Sequence, residues 1–327
     1  MSEAGDISDE LKVFIEAQAP ERGRVSIANL RPAPAGSSTE NWFFDADWGD
    51  GPEPLLLRRA PKTEVVLVDR SAEFAVLQRL NGSGIPSPRA WWQGMLGGRF
   101  AMIMQRCKGR AERMVLTDRN RMGLNEEARV GLAREIAAVL ADLHSLPAQS
   151  DEEDPVEGAL APYRAKAAAL PDEAAAELRL GLWWLEANKP AATARAIVHG
   201  DYRPANILIH DGRISAVLDW EFAHTGDPAE DIGWYFAAIY RGQHFVEGRF
   251  GPDDFLKAYE ARRGTTVDRA AVAWWSVFAL QKLATIAIET LRAFLDGDDS
   301  RMIQSPDRHL SALMRAVARN GELDGLQ

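Results

Sequence analysis

The stretch from Ile197 to Gly233 constrains this chain more than any other. It reads IVHGDYRPANILIHDGRISAVLDWEFAHTGDPAEDIG. A short apolar run, Ile197-Val198, breaks into a polar loop carrying His199 and Asp201, with Asn206 following the aspartate on the same loop. A second apolar run, Ile207-Leu208-Ile209, meets the turn signal Asp211-Gly212, and a third, Ala216-Val217-Leu218, delivers Asp219. Strand, Asp-Gly turn and strand is the pattern of a β-hairpin. Such a hairpin holds Asn206 at the start of one strand and Asp219 at the end of the other, close in space. Paired oxygen donors suit a hard cation such as Mg²⁺, which completes its shell with phosphate and water oxygens. Asp201, set back on the loop, is free to take a proton. A base beside paired metal ligands is what transfer of a γ-phosphoryl group requires.

With 327 residues, the chain is long enough for two domains or one two-lobed enzyme. Its formal net charge of −10 disfavours nucleic acid as the main partner, because phosphate backbones are bound by clustered Lys and Arg. An acidic surface tolerates a cationic substrate and also simply aids solubility. The single cysteine, Cys107, excludes an intrachain disulfide and a cysteine-based metal site. The first residues, MSEAGDISDE, are acidic and lack an apolar signal core, so the expected location is cytoplasmic. Ala270–Ala287 is the longest apolar helical stretch, but Ser276, Gln281, Lys282 and Thr285 interrupt it. It reads as a buried helix, with no membrane partner expected.

The expected organisation is α+β, with a strand-rich lobe over residues 1–104 and a mainly helical lobe over 105–327. An amphipathic helix over 6–19 precedes strands at Val25–Leu30, Asn41–Trp48, Leu55–Arg59, Arg89–Gln93 and Phe100–Gln105. Asp69–Leu80 is the one helix among them, ended by Asn81-Gly82. Beyond Gly109 the periodicity is helical: Glu126–Leu146, two helices within 159–188 broken at Pro171, then Pro228–Tyr240, Pro252–Arg262, Asp268–Asp296 and Pro306–Asn320. The acidic run Ser150–Gly158, with Pro155, reads as a solvated loop.

A strand lobe, a connector, and a helical lobe bearing H-x-D-x-x-x-x-N and a downstream Asp resemble the aminoglycoside phosphotransferase-like (choline kinase-like) family of the protein-kinase-like fold. Within it, HGDYRPAN followed by LDWEFAHTGDPAEDIG is most similar to phosphotransferase domains associated with acyl-CoA dehydrogenases. The resemblance implies an ATP- and Mg²⁺-dependent kinase that phosphorylates a hydroxyl on a small molecule. It implies Asp201 as the catalytic base that aligns the hydroxyl, and Asn206 and Asp219 as the Mg²⁺ ligands. Trp220-Glu221 follows Asp219 where protein kinases carry Phe-Gly, which argues against a flipping activation segment. His199 packs and hydrogen-bonds the loop, and Asp227 and Asp231 are structural, one of them bracing that loop. Arg203 either faces substrate or phosphate or makes a surface ion pair.

In the strand lobe the resemblance puts the phosphate-contacting cation at Arg58, on the same strand face as Leu56, which roofs the adenine. Antibiotic kinases carry lysine there, and the two cations are not equivalent. Glu73 is the expected acidic partner of Arg58. The small polar loop with Ser37 and Ser38 lies over the phosphates or is a plain hairpin turn. Gln105 and Cys107 belong to the hinge that reads the adenine edge through its backbone, and His144 is a satisfied core histidine. Two further readings stay open: a catalytically weak nucleotide-binding pseudokinase, motivated by Arg58, and a metal-dependent hydrolase using His199, Asp201 and Asp219.

Overall fold

The computed structural model describes residues 3–33, 40–60, 70–148, 154–191, 195–297 and 305–322. They pack into two compact units, Met1–Lys108 with Ser215–Glu221, and Gly109–Ile214 with Phe222–Gln327.

The first unit begins with helix α1 (Glu3–Gln18). Strands β1 (Ser26–Pro32), β2 (Glu40–Asp47) and β3 (Glu53–Arg59) follow, then helix α2 (Arg70–Leu80) and strands β4 (Ala90–Leu96) and β5 (Arg99–Gln105). The five strands form one antiparallel sheet in the order β1-β2-β3-β5-β4. Alternation along β3 decides what each face does. Leu55, Leu57 and Arg59 are buried, whereas Leu56 and Arg58 on the opposite face are partly open. Leu55 and Leu57 join Phe44, Ala46, Ala101 and Ile103 in a core closed by Ile7, Leu11 and Ile15, the apolar stripe of α1. Arg59 is tolerated beside this core because its guanidinium meets Glu40 at 2.9 Å and Glu10 at 3.4 Å.

The second unit starts with the short strand β6 (Arg110–Ala111) and helices α3 (Glu126–His144), α4 (Pro155–Ala168) and α5 (Asp172–Ala187). Strands β7 (Ala196–Val198), β8 (Ile207–His210), β9 (Arg213–Val217) and β10 (His224–Gly226) come next. Helices α6 (Pro228–Phe236), α7 (Arg241–His244), α8 (Pro252–Arg263), α9 (Arg269–Leu295) and α10 (Pro306–Ala318) complete the chain. The Asp211-Gly212 turn joins β8 to β9, and β6 pairs antiparallel with β8. The two- and three-residue strands β6 and β10 are too short to leave a period in the sequence. Part of the acidic run expected as loop is helical instead. Asp154 accepts hydrogen bonds from the amides of Val156 and Glu157, and Pro155 takes the first helical position of α4.

Helix α9 is apolar enough by length and composition to cross a membrane, yet most of its apolar residues are buried within this unit, Phe294 and Leu295 at its end being exposed. It packs against α4, α5, α6 and α10. The polar residues that interrupt it, Ser276, Gln281, Lys282 and Thr285, are buried too.

Ser215–Glu221, assigned from sequence to the large lobe, packs with the first unit. Local bonds explain this: the Val217 amide donates to Pro86 O at 2.7 Å, and Ser215 Oγ donates to Lys108 O at 2.6 Å.

Candidate active site

In the second unit the loop after β7 carries the acid. Val198 is fully buried and pairs with His224 of β10. The chain then turns at Gly200, whose φ is +80°. A Cβ there would lie 2.7 Å from the Phe222 carbonyl oxygen, so both backbone angle and space demand glycine. Asp231, in the first turn of α6, grips this turn. Its two oxygens accept from the His199 amide at 2.7 Å and the Gly200 amide at 2.8 Å.

His144 Nε2 lies 3.1 Å from the same carboxylate, and its Nδ1 lies 2.7 Å from the Tyr259 hydroxyl. Burial lowers the affinity of His144 for a proton, with Asp231 opposing. Burial would raise the Asp231 carboxyl, but hydrogen bonds from His144 and the loop hold it below its ordinary range. Both directions fit a neutral imidazole that donates to Asp231 and accepts from Tyr259, whose hydroxyl in turn accepts from Arg263 at 2.8 Å. From the other side, Lys282 Nζ donates to Gly200 O at 3.0 Å. The ammonium lies 4.8 Å from the Phe222 ring centre and 4.9 Å from that of Trp234. A buried lysine on an apolar helix is tolerated because a carbonyl and two aromatic faces replace its water.

Asp201 sits on this fixed loop with 8% of its surface exposed. Its Oδ1 accepts from Arg203 Nε at 2.8 Å and its Oδ2 from Asn206 Nδ2 at 2.7 Å. Asn206 Nδ2 also donates to Asp201 O at 2.9 Å. The amide nitrogen of Asn206 is thereby turned to Asp201, and its carbonyl oxygen is the atom left to face a cation. Arg203 pairs with the acid itself and lies 5.7 Å from the Tyr240 ring centre. His199, fully buried, accepts from the Asp201 amide at 3.1 Å.

In the first unit Arg58 stands on β3 between Asn41 of β2 and Met102 of β5. Its Nη1 meets Glu73 at 2.8 Å and Asp219 at 3.4 Å, and its Nη2 meets Glu221 at 3.4 Å. Burial would lower the guanidinium's proton affinity, but Glu73, Asp219 and Glu221 more than offset it. Asp219 has φ +59°, left-handed geometry that a non-glycine residue adopts at a cost of order 1–3 kcal/mol and that collects at functional sites. Leu56 shares the partly open face with Arg58.

At the end of β5 the Gln105 amide donates to Arg89 O at 2.8 Å and the Arg106 amide to Pro54 O at 3.2 Å. Cys107 is half-buried, and burial pushes its thiol up to about 11, so it is protonated and inert at neutral pH. Ser37 and Ser38 lie outside the described residues.

Among the described residues no group of three or more His, Cys, Asp or Glu side chains could hold a metal unaided. Asp219 in the first unit offers a carboxylate and Asn206 in the second an amide oxygen, both donor types that suit Mg²⁺. That ion commonly takes one or two protein oxygens and fills its shell with phosphate and water. Three partners were not singled out from sequence: Glu221 against Arg58, Lys282 against Gly200, and Tyr259 against His144.

An antiparallel sheet unit carrying an Arg–Glu pair, with a helical unit carrying the H-x-D-x-x-x-x-N loop, defines the two-lobed kinase-like α+β fold. The fold matches the crystal structure of aminoglycoside phosphotransferase APH(4)-Ia with a TM-score of 0.64 at 15% identity, covering 96% of this chain and 99% of that one. It matches the gentamicin–APH(2")-IIa complex with a TM-score of 0.58 at 17% identity, covering 95% of each chain. The chain belongs to the phosphotransferase enzyme family, whose model matches residues 29–275. Among curated proteins it is similar to mouse acyl-CoA dehydrogenase family member 11, 26% identical over 335 residues and 92% of this chain. The chain spans 41% of the length of that relative.

Proposed function

We propose that this chain is a kinase that transfers the γ-phosphoryl group of ATP, with Mg²⁺, to a hydroxyl group of a small molecule. One observation carries the reading. The Asp201 carboxylate is nearly buried, oriented by Arg203 and Asn206, and mounted on a backbone turn held by Asp231 and Lys282. In this role Asp201 accepts the hydroxyl proton, and its fixed orientation lowers the barrier by positioning. Arg58 faces the triphosphate, and Asn206 and Asp219 hold the metal ion. When bound, that ion neutralises charge on the β- and γ-oxygens.

For the acceptor we infer a metabolic alcohol such as a hydroxylated acyl compound, in preference to an aminoglycoside. The similarity to acyl-CoA dehydrogenase family members supports this. So do the carboxylates that a polycation would seek. Glu221 pairs with Arg58, Asp227 caps α6 through the Ala229 amide, and Glu230 pairs with His224 at 3.0 Å. The setting is cytoplasmic, without nucleic-acid or membrane partners.

The test is ADP release across a panel of alcohols and hydroxyacyl compounds, run on the wild type and on D201A. D201A is expected to lose at least about 10³-fold in kcat while its ATP affinity changes less than about threefold. Undiminished turnover in D201A would end the mechanism.

A further inference from the structure

Arg58 is a fork where a lysine would be a point. A lysine ammonium keeps the same charge distribution however it rotates, so one carboxylate suffices to place it. A guanidinium is planar and grips phosphate through two parallel N–H groups, so the tilt of its plane matters as much as its position. The Nε of Arg58 is buried without a hydrogen-bond partner among the described residues, so there the two terminal nitrogens set that tilt. Glu73 holds the Nη1 end at 2.8 Å, where Asp219 also reaches, and Glu221 is the contact at the Nη2 end. Glu221 is itself held in place. It lies in the 3-10 turn Trp220–Phe222, whose Trp220 is buried and donates from Nε1 to Val217 O at 2.8 Å.

We propose that Glu221 is a positioning residue for nucleotide binding, which anchors the second arm of Arg58 and fixes the plane of its guanidinium. The inference rests on the ATP-binding reading above. It explains how an arginine can serve at this strand position: the second arm has its own carboxylate, two residues beyond Asp219.

The experiment is a double-mutant cycle on ATP affinity with E221Q, R58K and the double variant, titrated by displacement of a fluorescent ATP analogue in Mg²⁺ and in EDTA. E221Q is expected to weaken ATP binding about tenfold with or without Mg²⁺, and less than about twofold in the R58K background, because its effect passes through the fork. Equal losses in both backgrounds, or a loss confined to Mg²⁺, would show Glu221 acting on the cation or the nucleotide directly and would overturn the proposal. So would unchanged affinity in E221Q. Wild-type protein that binds no ATP would instead sink the nucleotide reading, and this inference with it. Melting curves for all four proteins accompany the titration. An E221Q that fails to fold would assign the residue a structural role and reject the positioning one.

Discussion

At the scale of single residues, Asp231 sets the geometry of the Asp201 loop without touching Asp201. Its oxygens satisfy the His199 and Gly200 amides and His144 together. Replacing it with asparagine keeps the volume but turns an NH₂ donor toward one of those N–H groups, which is left unpaired in a dry site. An unpaired buried donor costs about 1–3 kcal/mol, and the lost charge adds to this. D231N is therefore expected to lose about 2–4 kcal/mol by urea denaturation. Y259F removes the hydroxyl's bonds to His144 and from Arg263 further along the same chain and should lose about 1–2 kcal/mol. A D231N protein as stable as wild type would mean that the loop does not depend on this carboxylate.

Among elements, the packing of α6 on α9 leaves no room for a side chain at Gly233. A Cβ on Gly233 of α6 would stand 2.5 Å from Trp275 Cβ, 2.6 Å from the Trp275 carbonyl carbon and 2.7 Å from the Ser276 amide nitrogen. Backbone cannot swing aside as a side chain can. Two effects compete in G233A. Alanine gains about 1 kcal/mol in helix propensity, while overpacking typically costs about 1–3 kcal/mol and more against backbone. The clash is expected to win, with a net loss of about 1–3 kcal/mol read from the denaturation midpoint; a stabilised G233A would refute the close approach.

The elements themselves were largely legible in the sequence, since alternation and helical periods marked the five strands of the first unit and the long helices. The ends were less so: the helix expected over 228–240 stops at Phe236, and Pro155 opens a helix where a loop was expected. The candidate site divides by sequence separation. Asp201, Arg203 and Asn206 come together because they are neighbours on one loop, so a local motif reports them. Glu221 is 163 residues from Arg58, Lys282 is 82 from Gly200, and Tyr259 is 115 from His144. No local pattern encodes contacts that only tertiary packing creates.

For the whole molecule, buried histidines set the acid limb of stability. His244 is buried against the Tyr235 and Tyr240 rings, and burial lowers it to about 3. Burial lowers His144 as well. An unfolded histidine titrates near 6.5, so below roughly that pH the unfolded chain takes up protons that the folded chain refuses. Stability is therefore full above about pH 6.5 and falls below it, by as much as about 1.4 kcal/mol per pH unit for each histidine. His224 has the opposite sign. Glu230 raises it to about 9, so the pair of a half-exposed His224 and a buried Glu230 contributes fully below the unfolded value and is lost as pH rises through about 9. Urea midpoints across the pH range should peak near neutrality, with the acid limb the steeper, and H224Q should flatten the alkaline limb alone. Midpoints that hold constant down to the carboxylate range would contradict the enclosed histidines.

One property of the chain path bears on inheritance. Because Ser215–Glu221 belongs with the first unit, that unit is written in two separate stretches of the gene. A crossover after Lys108 that exchanged everything upstream would bring a foreign Arg58 to a resident Asp219 and Glu221. Strand cation and acidic turn are thus obliged to evolve as a matched set across the intervening coding sequence.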